Sequence, residues 1–203
     1  MKPYIRHSGF TRFLPKNFPP MAGIWRVNHI IPVLISWFVL LCGGSLNATV
    51  VDSSFYGFTV VIERSVGMTP DSLYEVITRD VGRWWSNDHT WSGNASNLSI
   101  EAVAGGCFCE KLSGEGMVKH MEVVWAERPG MLRMTGGLGP LQAMAVVGTM
   151  SIELLPCEAV TRIKITYTAG GYYKGGLQKI GLLVDKVMAQ QADRLKAFAE
   201  GKL

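Results

Sequence analysis

Trp84, Trp85 and Trp91, with His89 between them, form the most distinctive local group in the chain, inside the segment RWWSNDHTWSG. Indoles stack on rings or cover apolar chains, and an imidazole or the neighbouring Asp88 could fix a polar end, so the group has the composition of a binding-site mouth. It also has the composition of core: at least two of the indoles could simply close an interior beneath a loop, a role that suits Trp84 or Trp85 better than Trp91. His89 and His120, taken with Glu101, Glu110 or Glu122, are the only set suited to a metal or to general-base chemistry. His120 is in phase with Glu122 on an expected strand, which argues for a wet face and a surface histidine. No H-E-x-x-H, G-x-S-x-G or paired-cysteine zinc motif occurs, so no catalytic residue, metal or cofactor is assigned.

Three further features carry polar or reactive groups. Gly136-Gly137-Leu138-Gly139-Pro140 has the glycine count of a phosphate-cradling loop, but no Lys-Ser/Thr follows it, and a tight turn is the simpler reading. Gln191 falls between Met188 and Leu195 on the apolar side of a helical pattern, where its amide needs a partner, either a ligand or a strand carbonyl. Cys107 and Cys109 point to one face of a strand, and direct bridging of such near neighbours is strained. A bridge from one of them to Cys157 is possible; small buried hydrophobes is the preferred reading.

The elements that must position these groups follow from periodicity. Phe58 to Ser65 alternates Phe58, Val60 and Ile62 against Thr59, Val61 and Glu63 and reads as a strand. Thr69-Pro70-Asp71 starts a helix, with a capping hydroxyl, a proline in the first turn and an acid at the positive end of the dipole. Its apolar spacing runs through Leu73, Ile77 and Val81 into the tryptophan pair, where the turn-rich 86–97 segment ends it. Six strands then follow over 98–103, 107–113, 118–126, 131–135, 145–155 and 161–169, separated by glycine and proline turns, which predicts an antiparallel meander. Residues 177–199 return to helical spacing, with Leu177, Ile180, Val184, Val187, Met188, Leu195 and Phe198 on one side. At 1.5 Å per residue this helix would run roughly 35 Å, enough to cross a sheet.

Residues 1–48 read differently. They hold five basic residues and no acid, so the remaining chain has fifteen basic against sixteen acidic side chains, and the formal net charge of +4 belongs to this leader alone. Net charge therefore gives no argument for nucleic-acid binding. Ile30 to Cys42 is an uncharged apolar run of 13 residues preceded by Arg26 and followed by Gly43, Gly44, Ser45 and Ala48. That order describes a signal peptide cleaved after Ser45 or Ala48, with Met21 as an alternative start, and the run is short for a spanning helix. An uncleaved anchor is the alternative, and lipidation at Cys42 is disfavoured by Leu41. The expected organisation is a leader over 1–48, a polar linker over 49–54 and one domain over 55–203, exported and periplasmic, meeting a membrane only through an uncleaved leader.

The element order resembles the helix-grip fold of the START-like (SRPBCC) superfamily, which includes polyketide cyclases, plant allergen-type binding proteins and homologues of heat-shock ATPase activators. The segments RWWSNDHTWSG, IEAVAGGCFCE, LRMTGGLGPLQ and GGLQKIGLLVDKVMAQQADRLKAFA resemble an exported bacterial branch of it whose function is undefined. The resemblance spans essentially all of 55–200. It implies an α+β domain in which a curved antiparallel sheet of about seven strands wraps a long C-terminal helix, with space between them. In that frame the tryptophan group falls at the cavity mouth, the 136–140 turn at its rim, and Tyr167, Tyr172 and Tyr173 at the closing end. Gly148, Ala145 and Gly181 would leave the cavity open, while Met134, Met144, Met150 and Met188 could line or fill it. The candidate ligand-binding set is Trp84, Trp85, His89, Trp91, Tyr167, Tyr173, Met188 and Gln191. The expected partner is a small apolar or amphipathic molecule. An enzyme of cyclase or hydrolase type using His89 or a tyrosine such as Tyr173, and a protein-interaction module, are the alternatives.

Overall fold

A computed structural model describes residues 49–203, and the leader expected over 1–48 lies outside the described residues. The architecture is α+β, with eight antiparallel strands in one sheet and a 22-residue C-terminal helix packed against it. The strands are β1 (Thr49–Ser53), β2 (Gly57–Val66), β3 (Leu98–Ile100), β4 (Cys107–Lys111), β5 (Met117–Glu127), β6 (Met131–Gly136), β7 (Ala145–Cys157) and β8 (Val160–Tyr172). Their spatial order is β1-β2-β8-β7-β6-β5-β4-β3, so β2 pairs with the last strand, and helices α1 (Pro70–Arg79) and α2 (Val81–Trp84) connect it to the far edge of the sheet. Helix α3 (Gln178–Ala199) lies on the inner face.

Strict alternation makes the centre of the sheet. On β8, Ile163, Ile165, Tyr167 and Ala169 are buried, opposite Leu154, Ile152, Met150 and Gly148 of β7 on one side and Arg64, Ile62, Val60 and Phe58 of β2 on the other. A side-chain period of two places each of these rows, apolar except for Arg64, on a single face. The expected helix start is as read: the Thr69 hydroxyl accepts the Ser72 N–H and Pro70 occupies the first turn. The helix then breaks at Asp80 into α1 and α2, and Arg194 from α3 donates to the Trp84 carbonyl at 2.9 Å, satisfying a helix-end acceptor that would otherwise be orphaned.

Two expectations about element limits change. Thr49–Ser53, read as linker, is strand β1 hydrogen-bonded along β2, which raises the strand count from about seven to eight. All but Val50 of its residues are exposed, so pairing comes from the backbone and leaves little trace in side-chain pattern. The strand expected to reach residue 103 stops at Ile100, because Ser99 and Ile100 pair with β4 while 103–106 form a turn closed by the Gly106 N–H on the Val103 carbonyl.

The small residues do not leave the expected space. A Cβ on Gly148 would fall 2.4 Å from the Tyr167 ring, and one on Gly181 would fall 2.9 Å from Phe58. These glycines are filled by their neighbours' rings, which meet edge to face with centroids 6.1 Å apart. Ala145 is exposed and takes no part. Gly148→Ala should therefore lower stability by about 1–3 kcal/mol through overpacking. Urea unfolding would read it; an unchanged midpoint would mean that Tyr167 has somewhere else to go.

Candidate functional site

The interior is filled beneath Phe58 and Tyr167 and hollow farther along. A cavity of about 520 Å³ lies between the first half of α3, the 85–91 loop, strands β4 and β5, and the turn after β6. Ile180, Val184, Val187 and Met188 form the helix wall, Phe108 and Leu98 the sheet wall, and Leu138, Pro140, Leu141 and Met144 the turn wall. Trp85, Asp88, His89, Thr90 and Trp91 supply the loop wall, and His120 is a polar group on the sheet side.

The tryptophans divide by burial. Trp84 is 4% exposed, donates its indole N–H to the Val76 carbonyl at 3.1 Å and stays out of the cavity. Trp85, 7% exposed, lines the cavity and donates to the His89 carbonyl at 3.0 Å, so it anchors the loop that it also roofs. Trp91 is 53% exposed and lines the cavity, the disposition of an entrance residue. Its wet indole face is available to a ligand at no cost in core packing. His89 borders the cavity while one ring nitrogen is engaged by Gln190 at 2.9 Å.

Met188 lines the cavity, whereas Tyr167, Tyr173 and Gln191, like Trp84, do not. Tyr167 is fully buried beside Phe58, and burial pushes its hydroxyl up to about 12, an effect the Leu138 backbone partly offsets without an aligned hydrogen bond. Tyr173 packs half-buried against the core outside the cavity lining. Gln191 is buried, its oxygen accepts the Ser86 N–H at 2.9 Å, which ties α3 to the end of α2, and its amide nitrogen has no partner among the described residues.

The residues least valued in the sequence are the most organised here. His120, expected on the surface, is 5% exposed, and Glu110 is fully buried. The reason is a β-bulge: Phe108 pairs with Met121 but Cys109 with Lys119, so His120 is an extra residue and points inward together with Met121. Its Nε2 lies 2.9 Å from a Glu110 carboxylate oxygen. The same carboxylate accepts the Trp91 N–H at 3.1 Å and the Ser92 N–H at 2.5 Å. Burial raises the Glu110 carboxyl, but the hydrogen bonds from Ser92, Trp91 and His120 outweigh it and hold the group below its ordinary range. A signal existed in the sequence, since Glu110 shares the inward phase of Phe108; the bulge that brings His120 to it left none.

Cys107 and Cys109 are bonded to each other, their Cα atoms 5.4 Å apart, so neither is a buried free thiol and neither bridges to Cys157. Both are half-buried on the face of β4 opposite Phe108 and Glu110. Among the described residues no group of three or more His, Cys, Asp or Glu side chains is placed to hold a metal ion.

No family model and no curated protein matches the sequence. Solved structures do match. A protein of Mesorhizobium loti aligns at 17% identity and a TM-score of 0.54 over 71% of this chain and 98% of its own. One from Rhizobium leguminosarum aligns at 12% and 0.56 over 71% and 95%. DynU16, of the dynemicin biosynthetic locus, aligns at 16% and 0.50 over 70% of this chain and 47% of its own, so the chain spans about half of that protein. The likeness is one of fold. At these identities the helix-grip arrangement is what the four chains are shown to share.

Proposed function

We propose that this chain is a member of the START-like superfamily that binds a small apolar or amphipathic molecule between its sheet and α3, outside the cytoplasm. The observation that carries the reading is the cavity of about 520 Å³, whose walls are mostly Leu, Ile, Val, Met and aromatic side chains with few polar groups. An apolar hollow of this size is dear to leave wet, and filling it with hydrocarbon gains about 25 cal/mol per Å² removed from water. The exposed Trp91 beside it supplies an entrance that can cover a bound chain or ring. The apolar run and small-residue cleavage region of the leader support export.

Incubating the purified protein with a cellular lipid extract and measuring it by native mass spectrometry should show a retained small molecule. Val184→Trp, which places an indole in the cavity, should lower its retention at least tenfold while the fold persists by circular dichroism. Protein that stays ligand-free under all conditions would overturn the binding reading, and a tagged full chain found in the cytoplasmic fraction would overturn the export reading. The enzyme alternative built on His89 or Tyr173 has less support, since His89 is engaged by Gln190 and Tyr173 is outside the cavity lining.

A further inference from the structure

We infer that Glu110 and His120 form a carboxylate–imidazole pair that presents one ring nitrogen, Nδ1 of His120, as a hydrogen-bond acceptor for a ligand carrying a hydroxyl group on an apolar body. The inference rests on the cavity being a ligand site and adds the chemistry that the ligand must bring.

The argument runs through the protons. Glu110 is fully buried, and an ionised carboxylate can only accept, so the two backbone N–H groups and the imidazole nitrogen around it must all be donors. Nε2 of His120 therefore carries the hydrogen. In a neutral imidazole this leaves Nδ1 with the lone pair. Nδ1 makes no hydrogen bond among the described residues, and His120 is one of the residues that line the cavity, with Phe108, Leu141, Met144 and Val184. The ring is also held in place, lying 5.2 Å from the Phe108 ring centroid and strapped to a carboxylate that two loop N–H groups fix in turn. Glu110 is thus a positioning residue, and His120 the group that meets the ligand.

Such a site selects by a difference. A molecule with a matching hydroxyl pairs the lone acceptor, whereas an analogue without one buries that acceptor unpaired. The remaining polar groups of the cavity, Asp88, Thr90 and His89, belong to the loop wall, so a hydroxyl held by them would be held in a different place.

The test compares naphthalene with 2-naphthol by equilibrium dialysis against the purified protein at about pH 8, where a phenol keeps its proton. 2-Naphthol should bind about five- to tenfold more tightly than naphthalene, the ratio that one hydrogen bond of about 1 kcal/mol or slightly more gives. His120→Phe should bring the ratio to one or below, with circular dichroism reporting that the domain still folds. Glu110→Gln should reduce the ratio too, because a side-chain amide can donate to Nε2 and so no longer fixes the hydrogen there. Naphthalene binding without any preference for 2-naphthol would overturn the inference and leave the binding reading standing. A preference that survives His120→Phe would overturn it as well, assigning the hydroxyl to the loop wall. Failure of both molecules to bind would overturn the inference, while the binding reading stands or falls on the lipid-extract measurement.

Discussion

Glu110→Ala is expected to cost about 3–5 kcal/mol of stability, the range for removing one partner of a buried charge network. Three donors converge on the Glu110 carboxylate: the N–H groups of Trp91 and Ser92 and the ring of His120. Truncation leaves all three without that acceptor, and each donor buried without a partner costs about 1–3 kcal/mol. Glu110→Gln keeps an acceptor oxygen and should lose about half as much. The pH dependence has a definite sign. Because the folded-state carboxyl is held below its ordinary value, its contribution is fully present above that ordinary value and is lost as pH falls through the lower folded value. Urea unfolding of wild type and both variants, from pH 7 downward, would measure this. Variants whose stability falls with acid as steeply as that of wild type would show that Glu110 is not the linked group.

Phe58→Ala should cost about 3–5 kcal/mol for a different reason, the loss of a large buried ring and the hole left behind. Phe58 is 1% exposed and is wedged between Gly181 of α3 and the Tyr167 ring, the contact that closes the filled part of the interior. The variant should create a second hollow beside the existing one, yet affinity for a ligand in the cavity of about 520 Å³ should change little, because Phe58 is absent from its lining. Urea unfolding and ligand titration on the same preparation separate the two effects. A loss below about 1 kcal/mol would mean that the helix settles onto the sheet when the ring is removed, and that the division into filled and hollow parts is not fixed by packing.

The parts of the fold that periodicity announces are those where side chains alternate without interruption. Ile163, Ile165 and Tyr167 on β8, Phe58, Val60 and Ile62 on β2, and the apolar stripe of α3 all sit where their spacing places them. Strand β1 was not legible, because a strand whose side chains are mostly exposed has no buried row to declare it. Glycines misled in a related way. The absence of side chains at Gly148 and Gly181 is visible in the sequence, but which ring occupies the vacancy depends on cross-sheet neighbours far along the chain. Within the site, residue type and position point to Trp85, Trp91, His89 and Met188, and these four border one cavity. Gln191 was recognised as a buried polar group, but its partner, a backbone N–H 105 residues earlier, is a product of helix docking. His120 was misplaced because alternation assumes uninterrupted pairing, and pairing is interrupted one residue before Met121.

That interruption in β5 has a consequence for how the site can change by inheritance. Removing one codon, that of Lys119, would return β5 to regular pairing with β4 and turn the imidazole to the outer face, with no alteration in the residues that line the cavity elsewhere. The lone acceptor would vanish from the hollow, and Glu110 would be left holding only the loop. Polarity inside this cavity is therefore encoded in the length of a strand as much as in the identity of any residue on it.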